Sequence, residues 1–405
     1  MNRILFLTYD YPYGHFGPSD NCSLRIMSAL ANTGKYEVHN ISYSGNVANY
    51  PIDKGIITHS LPFPERKRSK SRLLIHLRLL VSIPIYPIVH LFSCYRLYRA
   101  TRKLILGKHF ELVVCQCNPE ESLWTGTWLK KRGHIEKLMV IFWDNVYGKL
   151  PRRVIPQEFA ICRQRKAESF VAKYADHLVS LYPIKAFHEK FGEIPQAIGK
   201  RTYLGIPSVI CPKSLPVSNK REALVQGKIN ILYSGTIFRE SYVEYLVDLL
   251  DTTPISKDIN LIFFQRGISS SKWDEIKKKF KGSVYVSDWI PLEDLLALYP
   301  DVDFFMSYPG NPTSICSKLY EYVSYGKPLL ILFDDDSDVN IATFSVYPVC
   351  CCIDVRRPIE NHSFMVSGFI QANKGCCIPF EKTQSLFIKD SPYAYVNLID
   401  NMMGH

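Results

Sequence analysis

Hydrophobic residues in this chain fall in short continuous runs, each followed by a turn and then by apolar positions at helical spacing. Ile4–Thr8 opens the series almost at the first residue. A loop rich in Gly and Pro follows, and from about Asn21 the residues Leu24, Met27 and Ala31 sit at i, i+3 and i+7. Strand, loop and helix in that order open a doubly wound α/β unit. Further strands are expected at Leu112–Cys115, Leu138–Trp143 and His177–Leu181, with helical patterns between them. From Pro183 to Lys228 the pattern weakens around five prolines, which predicts domain-edge loops and an interdomain linker at 207–227.

A second series begins with the strand Ile229–Ser234 and the helix stripe Val243, Leu246, Val247 and Leu250. It continues through Asn260–Gln265, a Lys-rich helix near 272–281, Val284–Ser287, a helix at 291–299, Asp303–Tyr308, a helix at 314–325 and Pro328–Phe333. Two such series predict two Rossmann-like α/β domains facing across a cleft, 1–206 and 228–380. Neither carries GxGxxG or GxxxxGK[ST], which disfavours dinucleotide and P-loop chemistry.

With 405 residues, 47% of them apolar and 21% charged, the chain is neither disordered nor a coiled coil, and no period of repeats runs through it. Charge changes the picture locally. Residues 65–108 hold eleven Lys/Arg against one acid, Glu65, and so carry nearly all of the net +11. The apolar run inside this stretch is broken by His76, Arg78, Pro84 and Pro87, which makes a poor transmembrane helix. The mixture suits an element lying on an anionic membrane surface, or a solvated basic helix over a core helix. No nucleic-acid-binding motif accompanies the charge. Twelve cysteines with adjacent members (Cys350–Cys352, Cys376–Cys377) make a poor disulfide framework, and the N-terminal run is too short for a signal peptide. A cytoplasmic protein is expected.

The segment Tyr308–Leu330, YPGNPTSICSKLYEYVSYGKPLL, concentrates the candidate chemistry. Thr313 or Ser314 is expected to cap a helix whose N-terminal amides form an anion site. Ser314, Lys318 and Glu321 then share one face, while Ile315, Leu319 and Tyr322 face the core. Hydroxyl, cation and carboxylate in that order suit a sugar nucleotide, with phosphate at Lys318 and ribose at Glu321; a plain amphipathic helix with a surface Lys–Glu pair also fits.

SKLYEYVSYGKPLL resembles the nucleotide-sugar signature of GT-B glycosyltransferases, particularly the retaining family 4 (group 1). ILYSGTIFRE, the stretch VYVSDWIPLEDLLALYPDVDFFMSYPG, AESFVAKYADHLVSLYP and YLGIP resemble further family segments in the same order. The resemblance implies a metal-independent transferase using a nucleotide sugar, without a separate cofactor. Glu321 would bind ribose, Ser317 and Lys318 would lie near the donor phosphates, and Gly235 and Thr236 would border the phosphate pocket. Arg239 would offset charge on the leaving diphosphate, and Gly14 and Gly17 would let the N-terminal loop approach the sugar. His15 in that loop is a candidate contact to donor or acceptor. Asp144 either orients the acceptor hydroxyl or caps a turn. Thr313 stands where many members carry the first of two glutamates eight positions apart. Residues 381–405 would form a helix crossing back to the first domain. The acidic run Asp334–Asp336 with Asp338 resembles a metal-binding DxD but follows a Rossmann-type strand, which favours a solvated loop. The expected function is therefore glycosyl transfer to a saccharide or polyprenyl-linked saccharide at the membrane's inner face. A sugar-nucleotide 2-epimerase and a catalytically inactive scaffold are the alternatives.

Overall fold

The structure, a computed structural model, describes residues 2–10, 18–43, 55–62, 83, 86–88, 90–117, 120–143, 156–212, 217–310, 312 and 315–404. It divides into two compact units, 1–207 with 389–405, and 208–388.

In the first unit, β1 (Asn2–Asp10), α1 (Pro18–Asn32), β2 (Tyr36–Tyr43), β3 (Ile56–Leu61), α2 (Leu91–Gly107), β4 (Leu112–Cys117), α3 (Glu120–Lys131), β5 (Lys137–Phe142), α4 (Gln157–Tyr174), β6 (His177–Leu181), α5 (Tyr182–Phe191) and β7 (Arg201–Leu204) follow one another. Their sheet runs β3-β2-β1-β4-β5-β6-β7, parallel throughout. Helices on both faces bury the central strands completely, which is why LVVCQC reads as a continuous run rather than an alternation. The helix Pro392–Met403 closes this unit: Tyr395 donates to the Gly205 carbonyl at 2.7 Å, Asp400 pairs with Lys35 at 2.7 Å, and Lys137 donates to the Met402 carbonyl at 2.8 Å.

The second unit holds β8 (Ile229–Thr236), α6 (Glu240–Asp251), β9 (Ile259–Arg266), α7 (Ser270–Lys279), β10 (Ser283–Ser287), α8 (Leu292–Leu298), β11 (Phe304–Ser307), α9 (Ser317–Ser324), β12 (Leu329–Phe333), α10 (Val339–Phe344), β13 (Cys350–Asp354), α11 (Glu360–Asn373) and α12 (Phe380–Leu386). Its sheet runs β10-β9-β8-β11-β12-β13, again all parallel. Both sheets therefore have the doubly wound order 3-2-1-4-5-6, the first with one added strand. The described part of the expected linker is tied to the second sheet, since the Asn260 amide donates to the Ala223 carbonyl at 2.9 Å and Val225 donates to Asn230 Oδ1 at 3.0 Å.

Four strands go beyond the hydropathy pattern: β2, β3, β7 and β13. In β2 the sequence YEVHNISY carries buried His39, Asn40 and Ser42, and Thr8 satisfies Asn40 by donating to its Oδ1 at 2.9 Å. Burying polar groups with partners costs little, so a polar strand survives inside the sheet. Among the described residues no helix is long and apolar enough to cross a membrane.

Candidate nucleotide site

In doubly wound sheets ligands bind beyond the carboxyl ends of the strands, where the strand order reverses. In the second unit that point lies between β8 and β11. β8 ends in Gly235 and Thr236 and the loop after it carries Arg239, while the segment after β11 leads into α9, with Ser317, Lys318 and Glu321.

Lys318 and Tyr322, one turn apart on α9, grip a single residue at the end of β8. Lys318 Nζ donates to the Ser234 carbonyl at 2.5 Å, and the Tyr322 hydroxyl lies 3.1 Å from Ser234 Oγ. Tyr322 is held in turn by Phe305, stacked flat upon it at 4.1 Å, and by Tyr299, edge-on at 5.5 Å. Gly235 is buried with φ 152°, and a Cβ there would stand 2.9 Å from both Lys318 Nζ and the Tyr233 hydroxyl. Only glycine lets the chain pass this close to the ammonium.

The electrostatics follow from burial. Lys318 is half-buried, and the Ser234 carbonyl is its hydrogen-bond partner among the described residues. Burial lowers its pKa, and the Glu321 carboxylate offsets this only in part. Glu321, one turn on from Lys318, also adds to the upward shift of the Tyr325 phenol, which burial chiefly drives to about 12. The site thus presents an incompletely compensated ammonium beside a carboxylate.

One expectation is corrected. The helix starts at Ser317, not at Thr313 or Ser314, and its N-cap is Cys316. Asn340 Oδ1, fixed by Asp338, accepts the Cys316 amide at 2.8 Å and stops the helix there. The Cys316 thiol is drawn down by the amides of Lys318 and Leu319, although burial raises it on balance. Lys318 and Glu321 share a helical face, at i and i+3. Gly14, His15, Gly17, Asp144, Thr313 and Ser314 lie outside the described residues.

Thr236 and Arg239 are exposed at the same edge. Arg239 Nη1 lies 3.6 Å from Asp334 Oδ2, and its guanidinium sits over the Tyr242 ring at 5.5 Å. Tyr242 also donates to Asp334, which helps burial raise that phenol to about 12. The rest of the acidic run is engaged too. Asp336 pairs with Arg356 at 2.6 Å, Asp335 accepts from Ser337, and Asp338 caps α10. Asp336 is exposed, Asp334 and Asp335 are half-buried, and Asp338 is buried. Among the described residues, Glu168, His188 and Glu193 of the first unit lie close enough to share an ion. Arg201 already pairs with both glutamates, at 2.5 and 3.1 Å, and answers their charge.

No protein-family model and no curated protein sequence matches this chain. Solved structures do. A glycosyltransferase from Rickettsia africae superposes with a TM-score of 0.59 at 11% identity, over 99% of this chain and 98% of that one. HepE of Anabaena, in complex with UDP and glucose, gives 0.57 at 12% identity over the whole of both chains. MnaA of S. aureus, in complex with UDP, gives 0.54 at 13% identity over 100% of this chain and 97% of that one. The chain has the GT-B fold.

Within this GT-B chain, sequence reasoning missed Arg266 and Trp289. Arg266 ends β9 and Trp289 lies just past β10, and the guanidinium lies 4.2 Å from the indole centroid, with Trp289 about half exposed. The only signal was an exposed-type Trp just after a strand, which pattern alone does not separate from a core residue.

Proposed function

We propose that the chain is a glycosyltransferase that moves a sugar from a nucleotide-sugar donor to a saccharide or lipid-linked saccharide acceptor, in the assembly of a surface polysaccharide. The observation that carries this reading is Lys318, a half-buried ammonium at the switch point of the second sheet whose hydrogen-bond partner is a carbonyl. A diphosphate would supply the opposite charge that the Glu321 carboxylate supplies only in part. Ser317 lies beside it for the phosphates, Gly235 and Thr236 border them, and Glu321 accepts from the ribose hydroxyls. HepE and MnaA were solved with UDP, which makes UDP the first nucleotide to test.

Transfer needs stabilisation of the charge that develops as the nucleoside diphosphate leaves. Lys318 and Arg239 supply it, with no metal required, once Arg239 exchanges Asp334 for phosphate. Holding donor and acceptor together contributes the rest. The first unit takes the acceptor, with Gly14 and Gly17 admitting the sugar, His15 touching it and Asp144 orienting the acceptor hydroxyl. Thr313 in place of glutamate leaves the transferred sugar with one carboxylate fewer. Stereochemical retention follows from the resemblance to family 4. The basic stretch 65–108 supports a polyprenyl-linked acceptor and work at the inner face of the membrane.

The test is a thermal-shift and calorimetric screen of the full chain against UDP, GDP, ADP, CMP and their sugar conjugates. One nucleoside diphosphate is expected to stabilise selectively, by about 2.7 kcal/mol at a hundredfold excess over its Kd, and the effect is lost in Glu321→Ala. No response to any nucleotide overturns the reading in favour of an inactive scaffold. Interconversion of a sugar nucleotide without acceptor, in place of transfer, would identify a 2-epimerase.

A further inference from the structure

We infer that the outward face of α2 is the surface by which the chain docks on an anionic lipid bilayer. This deepens the membrane reading above and rests on it, and within the basic stretch 65–108 it names the helix and not the cluster Arg66–Lys70. At about 100° per residue, one arc of roughly 120° on α2 gathers Leu91, Phe92, Tyr95 and Leu106 with Arg99, Arg102 and Lys103. All seven are exposed, Phe92 by 70% and Leu106 by 69%. The opposite face, with Cys94, Leu97, Tyr98 and Thr101, is buried. The helix contains no acidic residue.

A helix face turned to water ordinarily mixes charges of both signs and keeps large apolar side chains inside. This face does neither. Its cations and aromatics are also placed together: Arg99 lies over the Tyr95 ring and Arg96 over Phe92, each at 6.0 Å. Aromatic bodies with basic heads are what the headgroup layer of an anionic bilayer receives. The neighbouring helix α3 adds Lys131 and, just past its end, Arg132, both exposed. Of its acids, Glu120 accepts the His90 amide at 2.7 Å at the very start of α2, and Glu121 is buried.

Charge decides between occupants. A second copy docked face to face about a twofold axis would set these cations against themselves. The chain's own residues 63–82 carry six Lys/Arg and one acid, so they offer no complement either. A nucleic acid would answer the cations but leave Leu91 and Leu106 in water.

The experiment is co-sedimentation of the full chain with phosphatidylcholine vesicles, with and without phosphatidylglycerol. Binding is expected only with the anionic lipid. Arg99→Gln, Arg102→Gln and Lys103→Gln together are expected to weaken it about a hundredfold, at about fivefold per cation. Phe92→Ser with Tyr95→Ser weakens it as well, and Lys277→Gln, Lys278→Gln and Lys279→Gln on α7 leave it unchanged. A wild-type melting curve and circular dichroism spectrum in each variant show an intact fold, and unchanged nucleotide binding separates docking from the donor reading. Equal binding by wild type and the α2 variants overturns the inference, as does loss confined to neutralised Arg66, Lys67, Arg68 and Lys70. Binding to duplex DNA that the Phe92/Tyr95 pair does not affect, without vesicle binding, also overturns it.

Discussion

Replacing Lys318 with methionine separates two roles the lysine can have. Its pKa is lowered because burial costs the ammonium more than the Glu321 charge returns. A lysine depressed in this way destabilises the fold while it is charged. That penalty is present below the folded-state pKa and vanishes as pH rises past the unfolded value of 10.5. Methionine keeps the stem without the charge, so the Lys318→Met apoprotein should melt at or above the wild-type temperature near neutral pH. The diphosphate, by contrast, loses a charge-assisted hydrogen bond, worth about 1.5–3 kcal/mol, or roughly a 10- to 150-fold rise in Kd. Wild-type affinity should also fall with rising pH sooner than an ordinary lysine would dictate, because binding needs the proton. Calorimetric titration with the stabilising diphosphate and a melting curve on the same sample read both effects. An unchanged Kd with a lowered melting temperature would refute the reasoning and leave Lys318 a structural peg between α9 and β8.

Other consequences are as direct. Glu321→Gln should weaken the ribonucleotide by about 1.5–3 kcal/mol and shrink the preference for ribose over 2′,3′-dideoxyribose, read by competition binding. Gly235→Ala should cost roughly 1–3 kcal/mol in urea unfolding and displace Lys318, because the new methyl meets Nζ and the Tyr233 hydroxyl at 2.9 Å. Gly205→Ala should cost a similar amount in the first unit, since its Cβ would fall 1.5 Å from Asp390 Oδ1, a buried carboxylate. Asp354 is held at about 2 by Arg356, so its contribution is complete above the unfolded value of 3.8 and is lost as pH falls from there towards 2. Urea midpoints measured down that range should drop less in Asp354→Asn than in wild type.

Much of this was legible from the sequence where one physical effect dominated. Strands buried on both faces, such as those expected at Leu138–Trp143 and Ile229–Ser234, declare themselves as apolar runs, and Val243, Leu246, Val247 and Leu250 declare α6. Where buried polar groups find partners inside the sheet, as His39 and Asn40 do in β2, hydropathy misleads. The edge strand β13 was hidden by its composition, since CCCID reads first as a cysteine cluster. In the candidate site, spacing placed Lys318 and Glu321 on one helix face. The start of α9 did not follow from spacing, because it is set by Asn340, a residue 24 positions away that takes the Cys316 amide. The grip of Lys318 and Tyr322 on Ser234 is likewise a contact between distant segments, which no local pattern encodes.

Amide hydrogen exchange across the chain, with and without a saturating nucleoside diphosphate, tests the central claim most directly. Slowed exchange confined to the end of β8 and the loop after it, residues 235–239, and to the start of α9, residues 316–319, is the predicted result. Protection elsewhere, with both segments unchanged under a nucleotide that demonstrably binds, would contradict it.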